Sequence, residues 1–207
     1  MNEWLTPVVE AYKHHFGEAR KPVVWEVGSR DGHDGVELAS RIYDGASTTF
    51  WKHAEIVLVE PNPDQVAVIK KNYPLATVHE FAISDEAGTA EFTVYHGDIG
   101  TVGSSSLNPD WKPGLDNHKI TVEVKRLEGM IGNDEIDIMK IDTEGFSVQV
   151  LAGLGDKIRQ VKIYHIETES WHKTDQYVED IMEEAGYKLY DEREQYAGMP
   201  DLTFYRL

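Results

Sequence analysis

The sequence predicts an α/β fold built on a parallel sheet, and three observations carry that reading. Apolar runs of strand length alternate along the chain with segments of helical periodicity, the order expected of β-α units. The first of these runs, Val23-Val24-Trp25-Glu26-Val27, is continuous, as in a strand covered on both faces, and it leads directly into Gly28-Ser29-Arg30-Asp31-Gly32. Several core runs end in acids: Glu60, Asp142 and Glu167, with Glu26 just inside the end of the first. Ligands of open parallel sheets bind beyond the carboxyl ends of the strands, so these acids converge on one rim.

The elements follow in order. An N-terminal helix is expected within residues 1–20, with Thr6 as its cap, Pro7 in its first turn, and Val8, Val9, Tyr12 and Phe16 on one side. Val23 to Val27 is the first strand. A helix from about Asp34 to Ile42 buries Val36, Leu38, Ala39 and Ile42, and the Ser47 to Trp51 region reads as loop. Glu55 to Glu60 is the second strand, stopped by Pro61-Asn62-Pro63. Pro63 then opens a helix carrying Val66, Ile69 and Tyr73, which Pro74 ends. Thr77 to Ile83 is expected as one strand, and Thr89 to Tyr95 as an alternating, antiparallel one. Residues 97–117 show no periodicity, and a loop of that length is expected to serve as a substrate loop or lid. Ile120 to Val124 is a strand and Leu127 to Ile131 a short helix. Ile136 to Asp142 and Val161 to Ile166 are core strands, separated by a helix from Ser147 to Leu151 that ends at Gly153 or Gly155. Asp175 is expected to cap a last helix with Val178, Ile181, Met182 and Ala185 inside and Gly186 at its end. Tyr187 to Tyr190 and Leu202 to Tyr205 form a closing antiparallel pair. With no repeat, low-complexity tract or linker, residues 1–207 read as one domain.

Composition narrows the function. The 207 residues are 41% hydrophobic, enough for a full core. The formal charge of −17 repels nucleic acid and anionic membranes. The nearest basic stretch, Lys119 to Arg126, is interrupted by Glu123. The absence of cysteine excludes disulfides, thiolate metal sites and a cysteine nucleophile, and fits a reducing cytoplasm. Met1-Asn2-Glu3-Trp4 has neither the basic region nor the apolar core of a signal peptide, and no run approaches the about 20 apolar residues of a membrane helix. The expectation is a cytoplasmic protein acting on a small molecule, with neither nucleic acid nor membrane as partner.

The candidate site residues follow from chemistry. Gly28 lets backbone approach a ligand without a Cβ between them, and Gly32 relaxes the turn into the next helix. Glu26 beside this loop disfavours a phosphate and favours a cationic ligand, which points to S-adenosylmethionine. Gly28, Gly32 and Gly35 do not spell the G-x-G-x-x-G of a dinucleotide site. Glu60 can accept both hydroxyls of a ribose. Asp142 and Glu144, with Lys140 two residues before Asp142, can orient a hydroxyl, act as a base or hold a hard metal ion. Alternatively Asp142 holds the methionine part of the cofactor and Glu144 caps a helix. His165 reads as a hydrogen-bonded core residue or as a group that tunes the base, and Glu167 and Glu169 can complete a metal or hydroxyl site. No His/Glu spacing matches a zinc motif. Ser104-Ser105-Ser106 lacks the G-x-S-x-G elbow of a hydrolase.

Together these residues resemble the FkbM-type methyltransferases of the S-adenosylmethionine-dependent class I. The segment Met139-Lys140-Ile141-Asp142-Thr143-Glu144-Gly145-Phe146, continuing to Val150-Leu151-Ala152-Gly153, is similar to the family's K-I-D-x-E-G segment and its V-L-x-G tail. Glu26-Val27-Gly28, Val59-Glu60-Pro61-Asn62, Ala82-Ile83-Ser84, Gly103-Ser104-Ser105-Ser106-Leu107 and Ile166-Glu167 support it. The resemblance implies a three-layer, Rossmann-like class I methyltransferase sheet, mostly parallel with an antiparallel C-terminal hairpin. It implies methyl transfer from S-adenosyl-L-methionine to a hydroxyl of a sugar or small natural product. Glu26, Gly28 and Gly32 would line the methionine part, with Ser29, Arg30 and Asp31 in the same loop. Glu60 and Pro61 would face the ribose, and Ala82 and Ile83 the adenine. Ser105 would bind the cofactor from the lid, Asp142 would also contact the cofactor, and Lys140, Asp142, Glu144 and Glu167 would face the acceptor. The first loop departs from the family's D-V-G-A-N-x-G at Glu26, Ser29, Arg30 and Asp31. Asp142 or Glu144 is expected to be the base, tuned by Lys140 or His165, and a magnesium ion is compatible with the carboxylates without being required. A nicotinamide-dependent oxidoreductase and a non-catalytic nucleotide-binding module are the alternatives.

Overall fold

In the computed structural model, which describes residues 2–17, 21–43, 51, 53–96, 105–109, 111–112 and 114–207, a turn of 3-10 helix at Glu3–Leu5 runs into helix α1 (Thr6–Phe16). Thr6 is thus inside the first turn and not its cap. Its hydroxyl instead accepts from the Arg41 guanidinium at 2.9 Å. The chain continues as β1 (Val23–Val27), α2 (His33–Ile42), β2 (Glu55–Val59), α3 (Pro63–Asn72) and β3 (Thr77–His79). Asn62 caps α3 by accepting from the Asp64 amide, and Pro63 fills the first helical position, where a missing N–H costs nothing. Ser47 to Trp51, apart from Trp51 itself, lies outside the described residues.

Thr77 to Ile83 is two strands. His79 is the last residue with a partner on β2, at Val59, and its carbonyl already accepts from the Glu60 amide. The chain then turns, and β4 (Ala82–Ile83) joins a second sheet with β5 (Gly88–Tyr95) and β6 (Asn117–Lys125), in the order β4-β6-β5. Here β5 and β6 are antiparallel, as the alternating pattern predicts. Ser106 extends this sheet by a bridge to Thr93, while residues 97–104 of the expected lid lie outside the described residues.

After a 3-10 turn at Leu127–Gly129 come β7 (Ile136–Ile141), α4 (Ser147–Leu154), β8 (Val161–Glu167), α5 (Thr174–Glu184), β9 (Lys188–Tyr196) and β10 (Met199–Tyr205). Gly153 does not stop α4; it lets the helix press against the Ser84 backbone, and a 3-10 segment, Gly155–Gln160, follows directly. The N-cap of α5 is Lys173 in the left-handed region, not Asp175. The Thr174 hydroxyl beside it donates to Glu169. Gly186, at φ 89°, ends α5 as expected, with the Tyr187 amide reaching back to the Met182 carbonyl.

The main sheet has the order β3-β2-β1-β7-β8-β10-β9, with β3, β2, β1, β7 and β8 parallel and β10 antiparallel to both its neighbours. One face packs Val24, Ile56, Leu58, Ile138 and Ile163 against α1 and α2. The other packs Val27, Met139, Ile141, Tyr164 and Ile166 against α4 and α5. The strand order reverses between β1 and β7, and a crevice opens beyond their carboxyl ends. No described helix is long and apolar enough to cross a membrane.

Gly28 sits at that reversal with φ 83°, so close to the end of β7 that a Cβ would run into the Asp142 carbonyl oxygen. Gly28→Ala is therefore expected to cost about 3 kcal/mol, from the left-handed backbone and the forced separation of two core strands. Urea unfolding measures it, and a loss below about 1 kcal/mol would contradict the close approach.

Candidate active site

The crevice is a cavity of about 660 Å³. Its walls come from the loop after β1 (Gly28 to Asp31), the end of β2 (Val59 to Asn62), β4, the turn after β7 and the hairpin residue Asp201. Part of its wall is apolar, formed by Phe81, Ala82, Ile83, Phe92 and Leu107, and part is acidic, with Glu26, Asp34, Glu60, Asp142, Glu144, Glu167 and Asp201 in the lining.

The register explains the acidic wall. Glu26, Lys140, His165 and Thr203 are consecutive partners across β1, β7, β8 and β10, so they form one polar row on the α1/α2 face. Two residues further toward the rim, Glu167 pairs with Asp201. Lys140 is 4% exposed and lies 2.7 Å from Asp142, 3.1 Å from Asp34 and 3.6 Å from Glu26. Burial disfavours its ammonium, but Asp142, Asp34 and Glu26 outweigh burial and hold its pKa well above the ordinary value. Glu26 also accepts from the Gly35 amide at 3.0 Å, in the first turn of α2. Burial pushes Glu26 up to about 8 against the pull of Lys140. Glu26 therefore faces Lys140 and the helix start.

Glu60 is buried with one oxygen on the Asn62 amide and the other on the Arg30 amide, each at 2.8 Å. Burial raises it to about 7. Arg30 has φ 48°, a left-handed backbone for a non-glycine residue, and the Glu60 contact holds that turn. The Ser29 hydroxyl donates to the Glu26 carbonyl and accepts from the Val59 amide, tying β1 to β2 at the rim. Gly32 is the N-cap of α2, packed under Leu58 and Tyr73 and outside the cavity lining.

Asp142, Glu144 and Glu167 each present a carboxylate oxygen within 4.8 Å of the others. Burial and Asp142 raise Glu144 to about 8, and burial with Asp142 and Glu144 raises Glu167 well above its usual range. Glu144 has φ 51° and is pinned from the far side. The Trp111 indole donates to its carboxylate at 2.7 Å, and the Ser106 hydroxyl donates to its carbonyl at 2.6 Å. Ser105 lines the cavity; Ser104 lies outside the described residues.

Besides Gly32, two further expected residues are placed outside the lining. His165 lies beneath the acidic wall, outside the cavity lining, with Nδ1 3.1 Å from the Thr203 hydroxyl. Burial and Lys140 lower its pKa to about 3, which keeps it a neutral imidazole in the core. Glu169 is fully buried, and its carboxylate accepts from the Gly145 amide and the Thr174 hydroxyl. It braces the turn after β7 against α5 and is absent from the cavity lining. Sequence reasoning missed Asp34, Asp201, Lys112, Asn2 and Trp4, which line the cavity. Asp34 carried a readable signal as an acid in the first turn of the helix after the glycine loop. Asp201 carried none, because its place depends on the hairpin register.

Comparison with known proteins identifies the class first. A precorrin-6y C5,15-methyltransferase from Geobacter metallireducens superposes with a TM-score of 0.51 at 14% identity, covering 97% of this chain and 86% of that one. TrmK of M. capricolum, in complex with S-adenosyl-homocysteine, gives 0.50 at 9% identity over 99% and 68%. An NADB-Rossmann superfamily protein from Streptococcus agalactiae gives 0.52 at 9% identity over 100% and 68%. These likenesses establish a Rossmann-like fold shared with methyltransferases. The methyltransferase FkbM domain model matches residues 26–189, and the chain belongs to that family. The methyltransferase sdnD of Sordaria araneosa is 23% identical over 184 residues, covering 71% of this chain and 70% of that protein.

The buried acids set a pH dependence. Glu26 and Glu60 ionise near 4.5 in the unfolded chain and at about 8 and about 7 when folded. The folded state binds the extra protons, so their contribution to stability is full below about pH 4.5 and is lost as pH rises through 7 to 8. The thermal midpoint is expected to fall between pH 6 and pH 8.5. Glu26→Gln, which keeps an acceptor for the Gly35 amide, should flatten that fall; a slope equal to the wild type would contradict the placement of Glu26.

Proposed function

We propose that the chain is an S-adenosylmethionine-dependent methyltransferase that transfers a methyl group to a hydroxyl oxygen of a sugar or small natural product. The observation that carries the reading is the cavity at the strand-order reversal, with bare backbone at Gly28 on one side and the Glu60 carboxylate at the end of β2 on the other. The family membership and the fold support it. The cavity suits the donor in size and in polarity, because a molecule with an adenine, a ribose and a charged amino-acid end needs an apolar wall, a hydroxyl acceptor and polar backbone in turn.

When bound, S-adenosylmethionine supplies an electrophilic methyl group on a sulfonium. Gly28 and the Asp142 backbone would hold its methionine end, Glu60 its ribose hydroxyls, and Phe81, Ala82 and Ile83 its adenine. The acceptor would enter beside Asp142, Glu144 and Glu167, where Asp142 or Glu144 takes the hydroxyl proton as the oxygen attacks. Lys140 fixes Asp142, and Trp111 fixes Glu144, so neither carboxylate has to be ordered at the moment of reaction. Methyl transfer from a sulfonium would discharge it, so alignment and exclusion of water by these residues would supply most of the acceleration.

The negative charge and the acidic wall favour a neutral or cationic small acceptor over a nucleic acid. A chain without cysteine suits the cytoplasm, where thiols stay reduced. A nicotinamide enzyme on the same sheet would prefer a different ligand.

Calorimetry decides between them. S-adenosylhomocysteine is expected to bind at micromolar concentration and NAD(H) or NADP(H) not to saturate; the reverse would discard the reading. Glu60→Gln should weaken S-adenosylhomocysteine by about tenfold or more, because it loses a charged acceptor for the ribose. In a labelled-methyl assay over sugars and small alcohols, Asp142→Asn with Glu144→Gln should cut product formation by about a hundredfold or more, and unchanged turnover would remove both from the mechanism.

A further inference from the structure

We propose that Trp4 is the stacking platform of the acceptor subsite, and that the acceptor it selects is an uncharged ring polyol, such as a pyranoside, over an open-chain or phosphorylated one. Trp4 lines the cavity together with Asn2, its neighbour in the N-terminal turn. The Trp4 indole N–H donates to Oδ2 of Asp34 at 3.5 Å, and Nζ of Lys140 lies 3.1 Å from the same oxygen. Lys140 in turn holds Asp142 at 2.7 Å. One carboxylate oxygen thus joins the indole to the ammonium that fixes Asp142.

Ties at both ends fix where the turn lies. On one side the Asn2 amide donates to Glu37 at 3.0 Å, and the Arg41 guanidinium donates to the Asn2 carbonyl at 3.0 Å, both from α2. On the other side the Arg193 guanidinium donates to the Glu3 carbonyl at 3.2 Å. Arg193 stands on β9 opposite Asp201, and Asp201 pairs with Glu167 of β8. The turn therefore runs past the end of the cavity that holds Asp142, Glu167 and Asp201. Glu60, on β2, is five strands from β9, roughly 24 Å at about 4.8 Å per strand. That separation puts the turn at the acceptor end and away from the ribose.

The chemistry of that end fits a ring polyol. Trp4 is half-buried: part of the ring packs on the core of α1 and α2, and part is in the cavity lining. A pyranose or cyclitol has a face of C–H groups that an indole can cover and a rim of hydroxyls that Asp142, Glu167 and Asp201 can accept from. An open-chain polyol has no such face and loses more rotational freedom when held. A phosphate on the ring would meet those carboxylates and be repelled. The indole is in place before a ligand arrives, because Asp34 also accepts from the Asn2 side-chain amide at 2.5 Å through its other oxygen. The word acceptor rests on the methyl-transfer reading; the ring site does not, and the experiment separates the two.

Full-length protein labelled with 5-fluorotryptophan is titrated with methyl glucopyranoside, methyl rhamnopyranoside and myo-inositol, each to about 100 mM, and followed by fluorine NMR with and without S-adenosylhomocysteine. The resonance missing from Trp4→Phe belongs to Trp4. A saturable shift of that resonance with at least one ring polyol is expected, and none with sorbitol or glucose 6-phosphate over the same range. In ligand-observed titrations Trp4→Ala should weaken that polyol about tenfold and Trp4→Phe, which keeps a ring, by no more than about threefold, while both bind S-adenosylhomocysteine within about twofold of the wild type. A Trp4 resonance unmoved by every ring polyol, or moved as far by sorbitol, would overturn the subsite, as would undiminished affinity in Trp4→Ala. S-adenosylhomocysteine binding to the wild type is measured in parallel: ring-polyol binding without it would sink the methyl-transfer reading and keep the ring site, and the opposite result would do the reverse.

Discussion

The site depends on one buried cation. Lys140 stands in the middle strand of the sheet, 5% exposed in its side chain, within 3.6 Å of Glu26, Asp34 and Asp142. Each of those acids belongs to a different piece of the cavity: the first strand, the first turn of α2, and the turn after β7. Without the ammonium, three carboxylates would share a poorly solvated space, and breaking such a pair by removing one partner typically costs about 3–5 kcal/mol. With it, the loop after β1 and the turn after β7 are drawn to a common point. The Gly28 backbone can then lie against the Asp142 carbonyl. Glu26 itself lines the cavity, and it orients Lys140 and the start of α2.

A second set of ties acts from the opposite side. The turn after β7 carries Glu144 and Gly145 in left-handed conformations, a local strain that must be held by its surroundings. Ser106, Trp111 and Glu169 hold it, from the segment after β5 and from the end of β8. A Cβ on Gly145 would meet the Trp111 ring, so the indole and the bare backbone fit each other. The turn that carries Glu144 is therefore fixed by residues from two separate stretches of sequence, as preorganised chemistry requires.

Much of this is legible in the amino-acid sequence alone. The buried strands β1, β2, β7 and β8 announce themselves by continuous apolar runs, and their terminal acids by position alone. Glu60, Asp142, Glu144 and Glu167 come together because a parallel sheet places all its strand ends on one rim. What escaped reading depends on register and on partners distant in sequence. Thr77 to Ile83 has the composition of one strand, but β2 ends at Val59 and leaves nothing for residues beyond His79 to pair with. His165 and Glu169 look as chemical as Glu167, yet the pleat sends His165 under the wall, and Thr174 with the Gly145 amide claims Glu169. Asp201 joins the site through the antiparallel hairpin, whose register no local pattern specifies.

The most direct test of the account is a crystal structure of the protein with S-adenosylhomocysteine. The account predicts the ribose hydroxyls on the Glu60 carboxylate, the adenine against Ala82 and Ile83, and the amino-acid end beside Gly28 and the Asp142 backbone, with Lys140 still bonded to its three acids. A ligand seated outside this crevice, or a Glu60 that contacts only the Arg30 and Asn62 amides while the ribose lies elsewhere, would contradict it.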